Sequence, residues 1–93
     1  DAIVNGIITD FKNPIGNGKN TISNNLKDAL SKADSVYLKF QSGFTKEQVW
    51  EEAKKELAGH THNRTGILYV ELADGSFYEW KMSDIVQKNG AGQ

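Results

Sequence analysis

Two dipeptides constrain this chain more than anything else in it. Asn5-Gly6 and Asp74-Gly75 are residue pairs that tight hairpin turns favour, because both members tolerate the positive φ such turns need. Ile3-Val4 and Ile7-Ile8 flank the first pair, and the runs TGILYVEL and SFYEWK flank the second. β-Branched and aromatic residues fill these runs, so a hairpin is expected towards each end. Between them lie two amphipathic segments and one alternating run. Over residues 21–33, Ile22, Leu26, Ala29, Leu30 and Ala33 form a single apolar stripe, with Asn20 or Thr21 as N-cap. Residues 35–40 place Val36, Leu38 and Phe40 on one face and Tyr37 and Lys39 on the other. A second helix opens on a capping box of Thr45 with Gln48 and a staple of Phe44 with Val49. It runs along Val49, Ala53 and Leu57 and stops at Gly59. Ser83 is expected to cap a short last helix up to Gly90, ahead of a frayed AGQ tail.

The resulting order, ββ-α-β-α-ββ-α, predicts a single domain over residues 1–93 of the α+β (or α/β) class, with helices packed on one mixed sheet. Strand 35–40 follows a helix, so it should run parallel to strand 7–12 through a right-handed crossover. A length of 93 residues agrees with one domain, since chains usually divide only beyond about 250. The absence of cysteine excludes a disulfide scaffold, a thiolate zinc site, an iron–sulfur cluster and a cysteine nucleophile. No apolar run approaches the roughly 20 residues of a membrane span, so no membrane insertion by this domain is expected. The net charge of −1 rules out coating nucleic acid through bulk charge. Locally the balance differs: within residues 12–39, Lys12, Lys19, Lys27, Lys32 and Lys39 face only Asp28 and Asp34. That allows an electropositive surface on a near-neutral protein, or simply scattered solvated lysines.

Three groups of residues offer chemistry. Side chains two apart on a strand share a face, so Asp10 and Lys12 should point together while Phe11 points into the core. Asp1, across the hairpin, would complete a cluster of two acids and an ammonium. Such a cluster can hold a divalent cation while the lysine supports a phosphate or an attacking water. The plain structural alternative is a cross-strand ion pair contributing less than about 1 kcal/mol. Next, the stretch from Gly16 to Thr21 leads into a helix start. Free backbone N–H groups, Lys19 and the Thr21 hydroxyl favour an anion there, although the spacing is not that of a P-loop. Finally, His60 and His62 with Arg64 lie in a polar loop, a set that can serve acid–base phosphodiester cleavage or remain an exposed loop. Tyr78 and Trp80 could stack bases, or divide between the core and the sheet edge.

The stretch DAIVNGIITDFKNP, the Gly/Asn loop, Asn20-Thr21-Ile22, the amphipathic helix and Ala33-Asp34-Ser35-Val36-Tyr37-Leu38 together carry a resemblance. They resemble the nuclease toxin modules at the C-termini of bacterial polymorphic toxins, above all the tRNA-cleaving domains of contact-dependent growth inhibition proteins. The likeness covers residues 1–40, and residues 41–93 carry no matching motif. It implies an endoribonuclease toxin, secreted or delivered from the cell surface, that cuts RNA, tRNA in particular, in the target-cell cytoplasm. It also implies a cognate immunity protein that blocks the active site. Carried over by residue, Asp1 and Asp10 are the acidic pair, catalytic and able to hold a divalent metal such as Mg or Zn. Lys12 or Lys27 is the catalytic lysine, and Lys19 and Thr21 contact phosphate. Lys27 joins the substrate-binding set, as do His60, His62 and Arg64 on the reading of their polar loop and not on the resemblance. Several tRNA-cleaving members have a serine where Lys12 stands. D-x-K is closer to restriction-endonuclease-like enzymes, so both that architecture and a compact ribonuclease-toxin architecture are expected alternatives. A metal-dependent DNase toxin on the same scaffold and a non-catalytic immunity or binding protein are the other functions to distinguish.

Overall fold

A computed structural model describes residues 2–4, 7–15, 18, 20–41, 43–58 and 66–85. Its elements run β1 (Ala2–Val4), β2 (Ile7–Lys12), α1 (Thr21–Leu30), β3 (Ser35–Lys39), α2 (Lys46–Ala58), β4 (Ile67–Glu71) and β5 (Phe77–Lys81), with a further helical turn at 82–85. The five strands form one mixed sheet in the order β1-β2-β3-β4-β5. β1 and β2 pair antiparallel with Val4 opposite Ile7, so only Asn5-Gly6 connects them; those two residues lie outside the described ones. β2, β3 and β4 are mutually parallel and β5 returns antiparallel to β4. The expected α+β class, the single mixed sheet and the β2–β3 direction are therefore present, whereas the expected last helix is described only as the turn at 82–85. No helix among the described residues is long and apolar enough to cross a membrane.

Each element ends for a local reason. The box at the start of α2 is reciprocal: the Thr45 amide donates to Gln48 Oε1 at 2.8 Å, and the Gln48 amide donates to Thr45 Oγ1 at 3.1 Å. α1 begins after Asn20, which sits at the N-cap position without a side-chain bond. It is shorter than the 21–33 stripe suggested. The amides of Ser31, Lys32 and Ala33 still donate to carbonyls of the last turn, so the hydrogen bonding tapers beyond Leu30. The β4–β5 turn has Gly75 at φ 93°, a conformation costly for other residues, and the Asp74 carboxylate accepts from the Ser76 amide at 2.9 Å. The last helical turn begins at Met82, which places Ser83 inside it rather than ahead of it; residues 86–90 are outside the described ones.

Both helices pack on one side of the sheet. Ile22, Leu26 and Ala29 of α1 meet Val49, Ala53 and Leu57 of α2 over Val36, Leu38, Leu68 and Val70, and Met82 and Ile85 close the end. Tyr78 and Trp80 lie on this same side, half-buried. The Trp80 ring stands edge-on to Trp50 at 4.9 Å and stacks on Tyr78 at 5.7 Å. They contribute to packing against α2, a division different from the core-and-edge split expected.

The register corrects one expectation. Asp10 pairs with Val36 and Lys12 with Leu38, which assigns both to the helix-covered side, while Phe11 pairs with Tyr37 on the other. Phe11 is 52% exposed and stacks on Tyr37 at 5.2 Å, and Tyr37 stacks on Tyr69 at 5.8 Å. The apolar member of the D-F-K triplet thus faces away from the core and the acid faces towards it. The aromatic ladder compensates, because Phe11 buries one ring face against its neighbour.

Gly66, just before β4, meets a steric limit. A Cβ there would collide with the Asp34 backbone carbonyl, whereas one on Gly43 would meet nothing within 4 Å. Gly66→Ala should therefore lose about 3 kcal/mol in chemical denaturation, and Gly43→Ala should change stability by less than about 0.5 kcal/mol.

Candidate active site

β2 brings Asp10 and Lys12 to one side, two residues apart, beside α1. The Asp10 side chain belongs to a residue only 5% exposed. Its Oδ2 receives no hydrogen bond among the described residues and lies 3.4 Å from Lys12 Nζ, an ion-pair contact without hydrogen-bond geometry. Burying a carboxylate this way opposes folding unless a cation balances it. Lys12 supplies that balance and is itself bonded elsewhere: its ammonium donates to Asp28 Oδ2 on α1. Lys32, one turn further along, donates to the same Asp28 oxygen at 3.2 Å. Formal charges alternate along Asp10, Lys12, Asp28 and Lys32, linking a central strand to the helix above it.

Sequence spacing explains which helix residues reach this flank. Thr21, Asn25, Asp28 and Lys32 recur at helical intervals, on a side adjoining the buried Ile22–Leu26–Ala29 stripe. Asn25 Nδ2 donates to the Thr21 carbonyl at 2.8 Å, and Thr21 lies about two turns before Asp28. Lys27 is exposed and about 100° of helical rotation from Asp28. Of the two lysines offered for catalysis, Lys12 is the one beside Asp10. Asp1, Lys19, His60, His62 and Arg64 lie outside the described residues.

Asp28 and Lys32 were not singled out from the sequence. The available signal was weak: Asp28 is one of only two acids in the lysine-rich stretch, four residues before Lys32. Its meeting with Lys12 spans sixteen positions and depends on how α1 rotates over the sheet.

The electrostatics follow from these contacts. The hydrogen bond to Asp28 holds the Lys12 ammonium above its ordinary pKa against the opposing effect of desolvation, with Asp10 adding attraction. The same bond, followed by that from Lys32, holds the Asp28 carboxyl below its ordinary value. Lys12 is therefore a fixed positive charge at neutral pH, suited to stabilising an anion rather than to removing a proton. The buried Asp10 oxygen, lacking a hydrogen bond, fits the role of one ligand to a cation. No group of three or more histidine, aspartate or glutamate side chains able to hold a metal gathers among the described residues. An open cleft of about 300 Å³ lined by Lys46, Glu47, Trp50, Glu51 and Trp80 contains none of these site residues.

The comparisons with known proteins come out as one match. A family described as the contact-dependent growth inhibition CdiA C-terminal domain matches residues 1–74, which contain β1 through β4 and every residue of the ion chain. No curated protein and no solved structure gives a significant match.

The Asp28 interaction has a pH signature. A carboxyl whose pKa is lowered by folding contributes stability above its unfolded value, about 3.9, and loses it as pH falls through the folded value. Thermal unfolding of wild type and Asp28→Asn from pH 6 downwards should show a gap that closes below about pH 4. A gap constant across that range would contradict the assigned interaction.

Proposed function

Because this chain belongs to the contact-dependent growth inhibition CdiA C-terminal domain family, a family of toxin domains, we propose that it is a nuclease toxin that cleaves RNA phosphodiester bonds, with tRNA the preferred substrate, in the cytoplasm of a target cell. The observation that carries the reading is the buried Asp10 carboxylate beside the protonated Lys12 on β2. Such a pair is costly as scaffold and useful as chemistry: a desolvated carboxylate to orient an attacking group, next to a fixed cation for the charge that develops on phosphorus-bound oxygen.

In this proposal Asp10 orients the attacking oxygen and Lys12 stabilises the phosphorane-like transition state. Thr21, at the start of α1, holds a neighbouring phosphate together with Lys19. The Asn20 N-cap position, free of a side-chain cap, supports an anion there, since the first-turn N–H groups keep their dipole. Lys27, exposed on α1, adds attraction for the backbone. Asp1 and Asp10 would hold a divalent ion such as Mg or Zn, which when bound supplies Lewis-acid activation. His60 or His62 with Arg64 would carry acid–base chemistry in a metal-free version. A cognate immunity protein that covers this site is the proposed protein partner.

Incubating the domain with total bacterial RNA and with plasmid, in Mg²⁺, Zn²⁺ or EDTA, tests the reading. Wild type should cut the tRNA band. Asp10→Ala should be slower by about 100-fold or more, with its near-UV circular dichroism retained. Cleavage lost in EDTA selects the metal version, and cleavage kept selects the histidines. An Asp10→Ala variant as active as wild type would overturn the site. Nicked plasmid with intact RNA would make the domain a DNase, and intact nucleic acid throughout would refute the nuclease assignment.

A further inference from the structure

We infer that Asp28, on the flank of α1, is a positioning residue for Lys12, holding its ammonium beside Asp10 where the reacting phosphate must be met. This rests on the nuclease reading above. A lysine side chain is a flexible four-carbon stem, and an ammonium freed from its partner prefers to extend into water. Lys12 does not do so. Its side chain is 19% exposed, and its Nζ lies between two carboxylates: Asp10 Oδ2 at 3.4 Å and the closer Asp28 Oδ2.

Asp28 is itself held. Lys32 Nζ binds the same oxygen from just beyond the end of α1, so the carboxylate is fixed from two sides. Leu26 and Ala29, to either side of Asp28 in sequence, are fully buried in the core, which fixes the rotation of the helix about its axis. Core packing therefore sets the direction of Asp28, and Asp28 sets the reach of Lys12. Asp28 contacts Lys12 from the helix side, and the action assigned to it is through the lysine.

An exposed ion pair of this kind adds little to stability, so thermal unfolding tests whether the contact forms and not what it does in cleavage. The informative readouts are the split between kcat and KM and rescue by the conservative variant. Asp28→Asn should lower kcat for RNA cleavage about tenfold to a hundredfold. It should leave KM within about twofold of wild type, since binding of the RNA backbone is untouched. Asp28→Glu should recover part of the lost kcat. If wild type cuts RNA and Asp28→Asn cuts with the same kcat, the inference is overturned while the nuclease reading stands. If wild type leaves RNA intact, the nuclease reading falls and takes the inference with it.

Discussion

The Lys12 ammonium is the contact on which this site turns. Among the described residues it is the cation in contact with a carboxylate that the fold has removed from water, and it is also the strand's handle on α1. Desolvating Asp10 without it would leave an uncompensated charge beside Val36 and Leu38, a cost of several kcal/mol in typical interiors. A hydrophobic residue at position 10 would suit the core better. An acid at that position is costly for packing, and the proposed role in cleavage accounts for it.

The sheet divides its work between two sides by the two-residue period of its strands. The helix side holds the core and, at its β2 margin, the ion chain. The other side carries Phe11, Tyr37, Tyr69 and Phe77, whose rings pack at 5.2 to 6.4 Å. Tyr37 ties this ladder down by donating its hydroxyl to Glu71 Oε1 at 2.7 Å, a bond that raises the phenol pKa. The parallel pairing of β2 with β3 sets both sides at once, because sliding it by one residue would exchange Asp10 with Phe11.

What could be read from the sequence was local. Turn pairs, the Thr45–Gln48 box and the two helical stripes act within a few residues, and all correspond to elements of the fold. That Asp10 and Lys12 share a side followed from strand period alone. Which side they occupy did not, since it depends on pairing with β3 more than twenty residues away. Phe11 looked like the core residue because burial of an aromatic is the commoner outcome; an aromatic neighbour on β3 made the exposed side acceptable. Asp28 was illegible for the same reason in helical form. Its partner is fixed by the rotation of α1, which the apolar stripe sets only after the helix meets the sheet.

On the proposed reading, nucleic acid is engaged at the β2 side of the sheet under α1 and not on the aromatic side. Titrating ¹⁵N-labelled Asp10→Ala protein with tRNA and following amide shifts tests it most directly. The ion chain predicts perturbations concentrated at Phe11–Lys12 and along Thr21–Lys32, fading as salt is raised. Perturbations centred on Tyr37, Tyr69 and Phe77, with the α1 amides unmoved, would contradict it.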